Sequence, residues 1–232
     1  MFSDKVIQFY KELDYKGSVP EGISIMNPFK DNPDIIPVIT QFYRKFYNDS
    51  NQRFMILGIN PGRFGAGVTG IPFTDSKRLS EKCGLSIPGL DTFETSSAFI
   101  YEMIDAFGGV GKFYNKFFIS AVCPLGFTSV NARDKSVNYN YYDSKRLIES
   151  AMAFIINCLN KQLEFGIGRN VCFCLGTGKN YKFLVQLNNE LQLFGTIVPL
   201  EHPRYIMQYK SGQKDIYIKK YVEELSINYD SG

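Results

Sequence analysis

Four short apolar runs punctuate the chain, at 54–59, 117–125, 171–176 and 196–203. Within each, apolar residues follow one another instead of alternating with polar ones, and each runs into glycine, proline or asparagine. A short unbroken apolar run bounded by turn formers is the pattern of a strand buried on both faces. The segments 6–13, 37–47, 96–107, 144–163, 180–191 and 213–225 place apolar residues three or four apart, which predicts amphipathic helices. Gly108-Gly109 stops the third of these, and Asp143 is the predicted N-cap of the fourth. Residues 17–35, rich in Pro, Gly and Asn, read as loop, and the polar, tyrosine-rich stretch 128–143 reads as a connection. Strands alternating with helices predict an α/β fold whose central sheet is parallel. One domain over 1–232 is expected, with residues 1–50 as a helical extension packed on it.

Composition changes this picture little. The chain has 232 residues, 44% hydrophobic and 21% charged, as in ordinary globular proteins. A net charge of +3 permits a nucleic-acid partner without demanding one. The five cysteines include no CxxC pair, and three lie inside apolar runs, so they read as small hydrophobes in a reducing compartment. The N-terminus mixes charged and apolar residues and is not a secretory leader, and no apolar stretch is long enough for a bilayer. A cytoplasmic monomer is expected.

In a parallel sheet, ligands sit beyond the carboxyl ends of the strands. Those ends carry Asn60-Pro61-Gly62, Cys123-Pro124-Leu125, the GTGKN stretch at 176–180, and His202-Pro203. GTGKN lacks the spacing of a phosphate loop, and GGVGK at 108–112 precedes a strand instead of following one. No GxSxG, HExxH or other metal spacing occurs. Asn60 offers a carboxamide able to orient a water, and Gly62 lets backbone approach a ligand closely. His202 is the chain's one histidine, and Pro203 restrains the turn that carries it.

The stretch GINPGRFGAGVTGIPF at 58–73 resembles the first active-site motif of the uracil-DNA glycosylase superfamily, in its SMUG-type, single-strand-selective monofunctional branch. Gly58, Asn60, Pro61, Gly62, Phe64, Gly65, Thr69, Gly70, Pro72 and Phe73 fall in register without gaps. Cys123-Pro124-Leu125 is similar to the middle segment of that family, and His202-Pro203 to the start of its second motif. The resemblance implies a three-layer α/β/α sandwich around a four-stranded parallel sheet. It implies hydrolysis of the N-glycosidic bond of uracil or a related deaminated base in DNA, with base flipping and neither metal nor cofactor. Asn60 is then expected to hold the attacking water and His202 to stabilise the departing base. Ile59, Gly62, Phe73, Ala121, Cys123 and Pro124 would bind the base, and Arg63, Arg204, Tyr205 and Lys210 the DNA, with Lys77 and Arg78 as further phosphate contacts.

Two departures accompany the match. Ala121 stands where the family carries its base-reading asparagine, which implies a pocket that reads the base through backbone and admits xanthine or hypoxanthine. Arg204 follows Pro203 directly, which shortens the family's second motif. A non-catalytic nucleic-acid-binding protein of this fold and a hydrolase of free nucleosides are the alternative readings.

Overall fold

The computed structural model describes residues 1–227; the last five positions of the expected 1–232 domain lie outside the described residues. In chain order the elements are α1 (Phe2–Glu12), β1 (Ile23–Met26), α2 (Pro28–Asp31), α3 (Ile35–Tyr47), β2 (Arg53–Gly58), α4 (Ala66–Thr69), α5 (Ser76–Cys83), α6 (Thr95–Phe107), α7 (Val110–Lys116), β3 (Phe117–Ala121), β4 (Gly126–Val130), β5 (Ser136–Tyr139), α8 (Lys145–Leu163), β6 (Ile167–Leu175), α9 (Lys179–Leu191), β7 (Thr196–Leu200), α10 (Pro203–Tyr209) and α11 (Lys214–Ser226). The four apolar runs form a parallel sheet in the order β3-β2-β6-β7, as their pattern predicts, and helices flank it.

The flanking layers explain why the runs are apolar without interruption. On β3, Phe117 packs on Phe107 and Phe113 of α6 and α7, whereas its neighbour Phe118 turns to Phe2 and Tyr47 of α1 and α3. Both faces are covered, so alternation has nothing to report. Each buried phenylalanine contributes about 1.5–3 kcal/mol. The fully buried Arg53, at the start of β2, lies against the stacked rings of Phe2 and Tyr47, 4.7 and 4.8 Å from their centres, with Asp49 as its ion-pair partner. It ties the N-terminal helices to the sheet.

Several elements depart from the sequence pattern. A second, antiparallel sheet has the order β1-β4-β5. Its strands lie in 17–35 and 126–143, of which 17–35 and 128–143 are read above as loop and connection, so the first fifty residues are not helical throughout. These strands are short and half-exposed, and their polar residues hide the signal. β3 ends at Ala121, four residues before the end of its apolar run; Val122 and Cys123 still donate to Gly58 and Ile59, after which Pro124 lacks an N–H and the chain turns into β4. Ser144, not Asp143, caps α8: its Oγ accepts from Leu147 N–H, while Asp143 accepts from Asn140 N–H. GGVGK does not run straight into a strand, because residues 110–116 form α7. No helix among the described residues is long and apolar enough to cross a membrane.

Candidate active site

The carboxyl ends of the parallel strands open onto one cavity of about 270 Å³. Asn60, Gly62, Phe73, Ala121, Pro124 and His202 all border it, as do Ile59, Arg204 and Tyr205. Asn60 and His202 are expected on neighbouring strand ends; in the structure β6 lies between β2 and β7, so the two ends are not adjacent, but the parallel order still brings both to the carboxyl edge of the sheet.

Asn60 is held from two sides. Its Oδ1 accepts from Tyr141 N–H at 3.1 Å, and its Nδ2 donates to the carbonyls of Tyr139 and Pro61 at 3.2 and 3.4 Å. These bonds set which end of the amide is oxygen and leave Oδ1 one lone pair for a water. The partner is the end of β5, an element the sequence pattern hid. Behind it, Tyr141 donates to Asn180 Oδ1, and Asn180 Nδ2 donates to Leu175 and Gly58 carbonyls, so Asn60 rests on a buried polar network.

Phe73 reaches the cavity because two glycine-related constraints are met. Its own backbone sits in the left-handed region, φ 52°, a rare choice for an aromatic residue. Its ring lies over Gly58, where a Cβ would come within 2.7 Å of it. The ring centroid is 5.8 Å from that of His202, with the planes tilted 47°. A planar ligand entering between the strand ends therefore meets an aromatic face and an imidazole together.

His202 caps α10. Its Nδ1 accepts from Arg204 N–H at 3.1 Å, so the proton of the neutral ring is on Nε2, free to donate. Burial, with the nearby Arg204 charge, lowers its pKa to about 4. The imidazole is thus neutral, and a donor, throughout the physiological range.

Three expected residues stand elsewhere. Cys123 is fully buried and is not part of the cavity wall. Lys210 ends α10 outside the wall. Arg63 lies beside the cavity with its guanidinium 4.2 Å from the Phe64 ring centre, and its N–H donates to Asn138 Oδ1. Of the further candidates, Lys77 faces Glu81, and Arg78 pairs with Asp75.

The wall also contains residues no motif announced: Glu94, Asn138, Asn140 and Tyr142. Ala121 offers no hydrogen bond, and its neighbour Ser120 is committed to Gln162. The side-chain polarity of the wall comes instead from β5, the segment after it and the start of α6. Glu94 lies against Gly62, where a Cβ would come within 2.6 Å of its carboxylate, and against Gly65. Burial and then the neighbouring Asp75 raise its pKa to about 7, with Arg204 opposing. Because the folded pKa lies above that of the unfolded chain, ionising Glu94 costs stability as the pH rises through 7. Glu94→Gln is therefore expected to be more stable than the parent by about 1–2 kcal/mol at pH 8, less than full burial would imply because the side chain keeps some solvent, and equal to it below pH 5. Denaturant titrations at both pH values check this. Among the described residues no group of three His, Cys, Asp or Glu side chains is placed to hold a metal ion.

A family model described as the uracil DNA glycosylase superfamily matches residues 44–226, most of the chain. With a four-stranded parallel sheet between helices and this cavity at its carboxyl edge, the chain belongs to that superfamily and is a DNA glycosylase. Among solved structures, the chain is similar to wild-type SMUG2 of Pedobacter heparinus at 56% identity over 96% of each chain, with a TM-score of 0.93. A comparison with curated proteins gives no match.

Proposed function

We propose that the chain removes uracil, or a closely related deaminated base, from DNA by hydrolysing the N-glycosidic bond. The observation that carries this reading is the convergence of the Asn60 carboxamide, the Phe73 ring and the His202 imidazole on one small cavity. An extruded base stacks on Phe73, which is worth about 1–3 kcal/mol. Asn60 Oδ1 orients a water towards the sugar carbon. The water oxygen bonds to that carbon, the carbon–nitrogen bond breaks, its electron pair leaves with the base, and the proton the water gives up ends on the departing base, which is released neutral. His202 Nε2–H donates to the anion that forms, a fixed dipole aimed at developing charge. Glycines at 58 and 62 give the base and backbone the close approach this requires.

Ala121 removes a side-chain reader from the floor, so recognition falls to backbone and to the polar wall of Glu94, Asn138 and Asn140. That arrangement suits more than one deaminated base. The test is a panel of single-stranded oligonucleotides carrying uracil, xanthine, hypoxanthine or hydroxymethyluracil, incubated with the protein and then with alkali. Strand breaks at uracil are expected, with weaker breakage at one or more of the others. Base released from free nucleosides, with none from any oligonucleotide, would overturn the reading.

A further inference from the structure

Hydrolysis takes a proton from the attacking water, and neither Asn60 nor His202 accepts one. Asn60 is a carboxamide, which binds a water without taking its proton. His202 has Nδ1 occupied by Arg204 N–H and its pKa lowered to about 4, so near neutral pH it donates and does not accept. A phenol is protonated at neutral pH, and burial pushes Tyr10 and Tyr142 of the cavity wall higher, to about 12. Arg204 keeps its proton throughout. One wall group can take the proton, the Glu94 carboxylate.

The placement of Glu94 fits that task. It is the N-cap residue of α6, but its side chain makes no capping bond. Its N–H donates to Asp75 Oδ2 at 2.7 Å, and its carboxylate packs on Gly62 and Gly65, where a Cβ on either glycine would collide with it. Gly62 follows Asn60 by two residues. Asn138 Nδ2 lies 3.4 Å from the same Cβ position on Gly62, and the next residue, Tyr139, supplies the carbonyl that holds Asn60 Nδ2. Asn60 and Glu94 therefore flank one turn of the wall. Phe93 and Thr95 on either side of Glu94 are exposed, so the carboxylate stands near the mouth, where the sugar of an extruded nucleotide sits; the buried Ser120 and Ala121 form the far end. The charged groups around it are Asp75, which Arg78 pairs at 3.2 Å, and Arg204, while Arg63 turns to the Phe64 ring. Burial and then Asp75 hold the carboxyl at about 7, with Arg204 opposing, and a general base works best with a pKa near the working pH. Because glutamine is expected to be more stable there at pH 8, the carboxyl is kept at a cost in stability, which marks functional sites.

We propose that Glu94 is the general base of the reaction, taking a proton from the water that Asn60 holds. This inference rests on the glycosylase reading. The water oxygen bonds to the sugar carbon as one of its O–H bonds breaks, and that proton passes to Glu94. The electron pair of the glycosidic bond leaves with the base. The proton then moves from Glu94 to the base, which restores the carboxylate and releases the base neutral. The test is steady-state base release from a uracil-containing single strand across pH 5–9. In the parent, kcat/KM should rise about tenfold per pH unit below 7 and level off above it. Glu94→Gln is nearly isosteric and folds at least as stably, so its activity reports chemistry. It should lower kcat by about 10²–10⁴-fold at pH 8 and remove the step near 7. Glu94→Asp, which keeps a carboxylate, should retain the step with part of the activity. Binding of a uracil-free single strand, read by fluorescence polarisation, should not weaken in Glu94→Gln, since the base acts only as bonds break. A Glu94→Gln kcat within about threefold of the parent, a step that survives in it, or a loss confined to KM or matched by weaker binding overturns the proposal, while base release by the parent leaves the glycosylase reading standing. No release by the parent from any strand overturns that reading and this proposal with it.

Discussion

His202→Ala is expected to lower kcat for base release by about 10²–10³-fold, the usual loss when a preorganised donor to a developing anion is removed. The reason lies in the geometry. Nδ1 is occupied by Arg204 N–H, which leaves Nε2–H as the group that can face the leaving base. KM should change less than kcat, because the anion exists only as the bond breaks. The pH dependence separates a neutral donor from a cationic one. With a pKa near 4, His202 stays neutral at pH 5–9, so kcat should show no step at 6.5 that vanishes in His202→Ala. Stability adds a second sign. A histidine pKa depressed by folding contributes stability above 6.5 that is lost as the pH falls through 6.5 towards 4. Glu94, with its raised pKa, changes stability in the opposite direction over much of the same range, so the two partly cancel in the unaltered protein. Removing either should uncover the other. Single-turnover kinetics and denaturant titrations across pH 4–9 measure both effects, and a retained kcat in His202→Ala would sink the assignment.

Asn60→Ala should lose at least about 10²-fold in kcat, because a misplaced nucleophile alone costs that much. It should also lose about 1–3 kcal/mol of stability, for a separate reason. The alanine leaves Tyr141 N–H and the Tyr139 carbonyl without their partner at the point where the small sheet meets the large one. Asn60→Asp discriminates the two effects. A carboxylate still accepts from Tyr141 N–H, but it faces the Tyr139 and Pro61 carbonyls where an amide N–H₂ had donated. Its stability should therefore fall more at pH 8 than at pH 5. If Asn60→Ala kept full activity at a normal melting temperature, the water-holding role would be wrong.

Much of this molecule was legible in its residues. The parallel sheet could be read because strands buried on both faces need unbroken apolar runs, and those runs survive as local patterns. The approximate spans of the six helices could be read because one face of each is apolar. Asn60 and His202 could be singled out because glycine and proline mark the strand ends where a parallel sheet binds ligands, and Phe73 only through its place in the motif that resembles the glycosylase family.

The small sheet was not legible. β1, β4 and β5 are short and half-exposed, and their partners lie far apart in sequence, so no local pattern records them. With them were hidden the groups that hold Asn60, since a backbone carbonyl and N–H at 139 and 141 carry no residue signature. Glu94 was missed for a related reason: nothing in Phe93-Glu94-Thr95 distinguishes a wall residue from a solvated charge. Its burial, its contact with Gly62 and Gly65 and its altered pKa exist only once distant segments close around it. By itself the sequence determined which residues could do chemistry and on which strand ends they stand. Only the tertiary structure decided that they share one cavity, which tautomer His202 presents and which way the Asn60 amide faces, because these depend on hydrogen bonds and desolvation supplied by segments remote along the chain.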